Sequence, residues 1–440
     1  MNQALTASGA GATALLPNPT EPPQDRLPFR LGMQVFLAFA LAYFFSALVR
    51  AVTATLAPTL TQEFSLTARS LGLLAGAYFL GFAATQLTLG KWLDRYGPRR
   101  VILGFLSVAV LGCVAFALAG NFAMLLAARA LCGVGVSACL MAPLTGYRRW
   151  YSSEVQLRTN SWMLMSGSTG MVASTLPVQW LMPTLGWRGL FVMMAVLIAL
   201  AMALLAWKVP AWRKDAGTNA GAGASASAGT DSNAAPEDAG YRIVWQHPYF
   251  RSLVPLGFFS YGGFVAIQTL WAGPWMVKVT GSTALGAATG LFWLNLCMLS
   301  TFWTWGLVNP WLVRRGLHAQ RLIALGMPVS LVVLVACVAG GSSTHWWGWA
   351  LFCVSSTVIS LAQPAIGLAF APSVAGRALS AFNLVVFSGV FVVQWGIGLL
   401  IDAAAALGLG TVASFQAAFA VYAVASVLAY AWFMATKPHN

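Results

Sequence analysis

Two arginines stand where charge is expensive. Arg50 and Arg129 lie inside runs of otherwise apolar residues, in a chain of 440 residues of which 59% are hydrophobic and only 8% charged. An ionisable group inside such a run marks a functional site by default, because away from water it must be paired or used. The guanidinium of Arg50 is a fixed fork of donors that holds a carboxylate at two points, which a lysine cannot reproduce. At helical spacing Tyr43, Ser46 and Thr53 share its face, and Ala54 and Ala57 continue it. This polar, partly small stripe predicts a cavity wall, with snorkelling of Arg50 to the interface as the competing reading. A second set of polar groups is neutral. Tyr261, Gln268 and Trp275 lie on one face of a later run with Trp271 beside them, and Asn383 and Gln394 share a stripe in another. Amides and aromatics of this kind suit hydrogen bonding and stacking of a small organic solute, or bonding between helices.

Other chemistries find no residues to carry them. No catalytic constellation or nucleotide-binding loop occurs, so neither an enzyme nor a cofactor is expected. Cys113, Cys132, Cys139, Cys297, Cys337 and Cys353 all fall in apolar runs without CxxC spacing, which indicates neither a disulfide framework nor a zinc site. Met163, Met165 and Met171 lack a facing His or Cys cluster, and His247, His318, His345 and His439 lie in loops or at the tail, so no metal site is expected.

The elements that position the arginines are membrane spans. Twelve apolar runs are long enough to cross a hydrocarbon core of about 30 Å: 31–57, 71–90, 101–120, 122–145, 161–183, 189–208, 250–277, 284–308, 322–340, 346–371, 378–401 and 412–434. In lipid each must be a helix, since unpaired backbone groups there are costly. The fold class expected is an all-α integral membrane protein of 12 transmembrane helices. Residues 1–30, with Pro17, Pro19, Pro22, Pro23 and Pro28, read as a disordered tail without a signal peptide. Residues 31–208 form one six-helix bundle and 250–434 a second, pseudo-symmetric one. Residues 209–249, containing "AGTNAGAGASASAGTDSNAAPEDAG", form a flexible linker, and 435–440 a tail.

The net charge of +14 follows from topology rather than from nucleic-acid binding. Nineteen of the 24 basic residues lie on the side holding both termini, against Arg69, Arg188 and Lys278 on the other. The positive-inside rule makes both termini cytoplasmic in a bacterial-type inner membrane.

One charged stretch between two spans, "GKWLDRYGPRR" at 90–100, is more than topogenic. It resembles the loop between spans 2 and 3 of the major facilitator superfamily, G-x-x-x-D-R-x-G-x-R-R, through Gly90, Asp94, Arg95, Gly97, Arg99 and Arg100. "RALCGVG" is similar to the family's span 4 element through Arg129, Gly133 and Gly135, and "GWRGLF" to the usual start of span 6. The symmetric loop "GLVNPWLVRRGLHAQR" keeps Gly306, Arg314, Arg315 and Gly316 but lacks the acidic residue. The resemblance implies alternating access by two six-helix halves, with the 90–100 motif locking their cytoplasmic ends. Gly90 would give a close helix approach, Gly97 a tight turn, and Asp94 a cap for a neighbouring helix N-terminus. Arg129 in its element has the alternative role of bonding to backbone and holding helices near Gly133 and Gly135.

"YFFSALVRAVTATLAP" further resembles the first span of the organic-anion branches, where an arginine binds the substrate carboxylate, although Val49 stands where those branches often place an acid. The function expected is secondary transport of a small organic anion or metabolite by a monomer in the lipid bilayer, a coupling proton being a further option. The alternative is a multidrug or metabolite efflux antiporter, disfavoured by the absence of a central carboxylate and by "GSTGMVAS", which lacks the antiporter Gly-Pro. There Gly167 and Gly170 read as helix-packing residues. A non-transporting membrane sensor is more remote, for want of an output domain.

Overall fold

In a computed structural model of the chain, residues 27–151, 153–211 and 237–436 are described. They form twelve long helical spans, here numbered 1 to 12. Span 1 is Phe29–Phe64, span 2 covers 68–96, span 3 98–117, span 4 Phe122–Trp150, span 5 153–185 and span 6 187–208. After a short helix, Glu237–Gln246, come span 7 Pro248–Lys278, span 8 Ala284–Arg314, span 9 Ala319–Gly340, span 10 Trp346–Ala369, span 11 Pro372–Ala406 and span 12 Thr411–Thr436. Every expected apolar run is a span, and most helices outrun the lipid core. Span 1, with 36 residues, is about 54 Å long at 1.5 Å per residue. Side-chain caps start three of them among the described residues: Thr67 accepts from the Ser70 amide, Asn121 from the Met124 amide and Thr283 from the Gly286 amide.

The face reached by Tyr96, Trp150 and Arg314 is called the basic face, and the one reached by Glu63, Lys278 and Asp402 the opposite face. The charged stretch 90–100 is helical rather than a loop, and the chain reverses at Gly97 alone (φ 77°). Gly186 (φ 62°) joins spans 5 and 6 in the same way, while Gly316 and Gly408 turn spans 8 to 9 and 11 to 12 at positive φ. One glycine joint therefore recurs between the second and third helix of each three-helix unit, the internal symmetry expected of a doubled half.

Two sequence expectations need correction. Gly90 makes no close approach, since a Cβ there would meet nothing within 4 Å. The interval 209–249 is not linker throughout: Glu237–Gln246 is helical because Val244 is fully buried against Phe250 and its neighbours, giving that helix a side to bury. The rest of that interval from 212 to 236, residues 1–26 and residues 437–440 of the expected tails, and His439 lie outside the described residues.

Small residues set the helix spacing. A Cβ on Gly133 would sit 1.9 Å from the Tyr78 carbonyl oxygen, one on Gly135 2.1 Å from the Ala109 nitrogen, and one on Gly81 2.3 Å from the Ala130 carbonyl oxygen. Spans 2, 3 and 4 thus touch backbone to backbone. Span 5 meets span 1 through Gly170, against the Phe44 carbonyl, and Gly167, against the Tyr43 ring, the packing role expected of both.

Between the halves, span 2 lies along span 11. A Cβ on Gly72 would fall 2.3 Å from the Gln394 carbonyl oxygen, and one on Gly398 2.3 Å from that of Ala68. Phe82 and Phe387 meet at 4.4 Å between ring centroids. At the opposite face the Asp402 carboxylate accepts hydrogen bonds from the amides of Ala68 (3.1 Å) and Arg69 (2.9 Å), capping span 2 from the other half. Span 7 approaches span 1 there through Gly273, near the Ala54 carbonyl. The halves are joined across the opposite face.

Candidate functional site

Arg129 is fixed first, because its surroundings are the most constrained. Its side chain is fully buried, Nη1 donates to the Val49 carbonyl (2.7 Å) and Nη2 to the Arg50 carbonyl (3.0 Å), and the guanidinium lies over the Tyr78 ring at 4.9 Å. These are the contacts of the helix-holding role that the sequence offers for Arg129. Gly133, one turn on, lets span 4 come close enough to span 2 for the ring to lie under the cation.

The carbonyl so held belongs to Arg50. Its half-buried guanidinium faces the hydroxyls of Tyr43 on its own helix and Tyr78 on span 2, with Tyr261 of span 7 also within electrostatic range. Tyr78 in turn donates to the Ser46 carbonyl at 3.4 Å. Tyr43 and Tyr78 thus flank the Arg50 guanidinium, and Tyr261 brings a third phenol from the other half close enough to act on it. None of the groups acting on it is an Asp or Glu among the described residues, and its Nε has no hydrogen-bond partner there. Ser46 Oγ, about one turn on from Tyr43, and Ser260 Oγ, next to Tyr261, are likewise buried and unpartnered among the described residues.

Tyr261 reaches this site from an irregular helix. Leu256–Tyr261 and Ile267–Trp271 are wound as π-helix, a widening common at functional sites because it re-aims side chains.

The other expected site residues serve mainly to join helices. Gln268 Nε2 donates to Asn295 Oδ1 of span 8 (3.0 Å), Gln394 Nε2 to Thr269 Oγ1 (3.0 Å), and Trp271 Nε1 to the Gln394 carbonyl (3.0 Å). Asn383 Oδ1 accepts from Gln363 Nε2 of span 10. Trp275 donates to the Thr344 carbonyl within an aromatic cluster with Trp349 and Phe419. Thr53 is buried in the wall of span 1. Trp271 also floors a cavity of about 570 Å³ at the opposite face, shared by Thr61, Thr67, Pro274, Lys278 and Phe415 from both halves.

At the basic face the motif residues separate by task. Asp94 is exposed at the end of span 2 and feels Arg148 of span 4. The helix N-terminus expected to be capped by Asp94 has its counterpart elsewhere, since the carboxylate that caps across the halves is Asp402. Arg95 lies over Tyr96, Arg99 donates to the Ala206 carbonyl of span 6, and Arg100 lines a surface groove.

Tyr78, Asn295, Gln363 and Asp402 were not anticipated as site or gate residues. For Tyr78 the available signal was a lone phenol in the small-residue run "GLLAGAYFLGF". Asp402, one of few acids near a span, offered another.

Residues 39–394 match the family model described as Major Facilitator Superfamily. The 4-hydroxybenzoate transporter PcaK of Pseudomonas putida is 29% identical over 181 residues, 40% of this chain and 40% of that protein. A chloramphenicol resistance protein of Pseudomonas aeruginosa is 27% identical over 161 residues, 36% of each. These matches thus span well under half the length of the relatives. Among solved structures, a bacterial homologue of the human lysosomal transporter Spinster superposes with a TM-score of 0.74 at 18% identity, covering 93% of this chain and 98% of that one.

Proposed function

The chain belongs to the major facilitator superfamily, and on that premise we propose that it carries a small organic anion across the membrane by alternating access, with Arg50 as the anion's counter-charge. The observation that carries the reading is the Arg50 guanidinium beside phenols of both halves, with no acid among the described residues acting on it. A carboxylate is the ligand such a fork completes, and Tyr43, Tyr78 and Tyr261 supply donors and ring edges around it. The similarity to a 4-hydroxybenzoate transporter supports a carboxylate of aromatic size.

In this reading residues 31–208 and 250–434 are the moving halves, 209–249 joins them, and the basic face lies in the cytoplasm of an inner membrane. A Cys at Tyr96 and one at Ser343 should label from opposite sides; labelling from one side would end the orientation. The acids carried by the described spans, Glu63, Asp94, Glu154 and Asp402, all lie near span ends, so a coupling proton, where one is used, is not carried by a carboxylate at the centre of the bundle.

The test is binding and transport by purified, reconstituted protein. Aromatic and aliphatic carboxylates should raise its unfolding temperature, as any ligand of the native state does, whereas sugars and cationic drugs should not. Losing a charge-assisted hydrogen bond costs about 1.5–3 kcal/mol, or about one to two decades of affinity. Arg50→Lys should weaken the best carboxylate by that amount and Arg50→Ala by more, with normal insertion of both. Equal transport by Arg50→Ala, or a cation as best substrate, would replace this reading with drug efflux, which the chloramphenicol-resistance relative keeps in view.

A further inference from the structure

Thr85 interrupts span 2, so that the part from Gln86 to Tyr96 is a separate length of helix carrying the motif residues Gly90, Asp94 and Arg95. Between it and spans 3 and 4 runs a groove of about 400 Å³, open at the molecular surface and lined by Trp92, Tyr96, Arg100, Gly104, Phe105 and Val134, among others. We propose that this groove binds one phospholipid with an anionic headgroup, Arg100 holding the phosphate and the Gly104–Phe105–Val134 floor taking an acyl chain.

Three observations select this occupant. First, the arginine pair is divided: Arg99 is bonded to the Ala206 carbonyl, while exposed Arg100 has no ion-pair or hydrogen-bond partner among the described residues. Its charge is available at the mouth of the groove, on the face richest in basic residues, where anionic headgroups are attracted. Second, the polarity is graded. Trp92 and Tyr96, both partly exposed, stand at the level of Arg100 as interfacial aromatics do, and Trp92 leans on Phe105 at 5.6 Å to close one wall. Deeper in, the floor is apolar and extends from Arg100 to Val108, about 12 Å at 1.5 Å per residue. A free phosphate would use the mouth and leave the floor bare, whereas a lipid uses both. Third, the floor is kept low by Gly104, where a Cβ would meet nothing within 4 Å. A side chain there would enter the groove without disturbing a helix contact. Because one wall is the motif-bearing piece of span 2, occupancy ties the lipid composition of this leaflet to the gate.

Delipidated full-length protein in detergent is titrated with phosphatidylglycerol or phosphatidylcholine, reading bound lipid by native mass spectrometry and the unfolding temperature in parallel. Wild type should retain one phosphatidylglycerol that phosphatidylcholine does not replace. Arg100→Gln should weaken it about tenfold, the loss of one charge-assisted contact. Gly104→Leu should abolish it while eluting as a single species with the wild-type unfolding temperature in phosphatidylcholine. Retention of that lipid by Gly104→Leu would overturn the proposal, as would equal binding by Arg100→Gln. Displacement of the lipid by millimolar inorganic phosphate would reassign Arg100 to a free anion and overturn it too.

Discussion

Arg129 donates both terminal nitrogens to main-chain oxygens, and one of those oxygens belongs to Arg50. A carbonyl that accepts a charge-assisted bond is fixed in direction, so the second arginine sets the backbone from which the first one projects. The pair also separates two kinds of buried cation. Arg129 is compensated by backbone dipoles and the Tyr78 face, whereas Arg50 is flanked by the Tyr43 and Tyr78 hydroxyls, which could equally serve a ligand. Removing Arg129 should therefore injure folding and site together. Two charge-assisted bonds at about 1.5–3 kcal/mol each predict that Arg129→Ala loses at least about 3 kcal/mol of stability. It should be seen as a lower unfolding temperature in detergent, accompanied by a raised KM in whatever protein inserts. Unchanged melting would mean that the two carbonyls find other donors.

At the scale of elements, the twelve spans were legible because lipid leaves one solution for a long apolar run, and the turn at Gly97 because its motif requires a residue free to take positive φ. What the sequence could not reveal depends on contacts between runs. Tyr78 reaches Arg50 only once Gly133 has let spans 2 and 4 touch. The amides of Gln268 and Gln394 look the same in sequence whether they meet a solute or Asn295 and Thr269. The π-helical winding that aims Tyr261 leaves no periodic mark. Gly90 and Gly97 share one motif, yet the structure gives them different weight. Gly97 has φ 77° and ψ 162°, a region nearly closed to other residues, and Gly97→Ala should cost about 1–3 kcal/mol and slow transport. Gly90→Ala meets open space and should be silent in both. Reconstituted flux and melting of the two variants check this, and equal effects would place the importance of the motif outside the turn.

For the molecule as a whole, the contact that matters most is the carboxylate of Asp402 on the first amides of span 2, since it joins the halves at the opposite face. An anion at a helix N-terminus is worth about 0.3–2 kcal/mol, and Asp402→Asn keeps the shape while removing the charge. The equilibrium should move about fivefold toward opening at that face, for a loss of about 1 kcal/mol. Spin labels at Ser65 and Leu407, in the loops after spans 1 and 11, should then show a longer-distance population. An unchanged distribution would assign closure to the glycine contacts alone. The recurring glycine joints bear on a different stage of the protein's life, its synthesis. At Gly97 and Gly186 a single residue separates two spans, and at 315–318 and 407–410 only four do, so there is almost nothing to thread through the translocon between the second and third helix of each unit. Such helices must enter the bilayer as hairpins. With the basic face cytoplasmic, as proposed above, the joints that stay behind carry Arg99–Arg100 and Arg314–Arg315 and those that cross carry at most Arg188, so each hairpin would take its direction from its own turn without waiting for the rest of the chain.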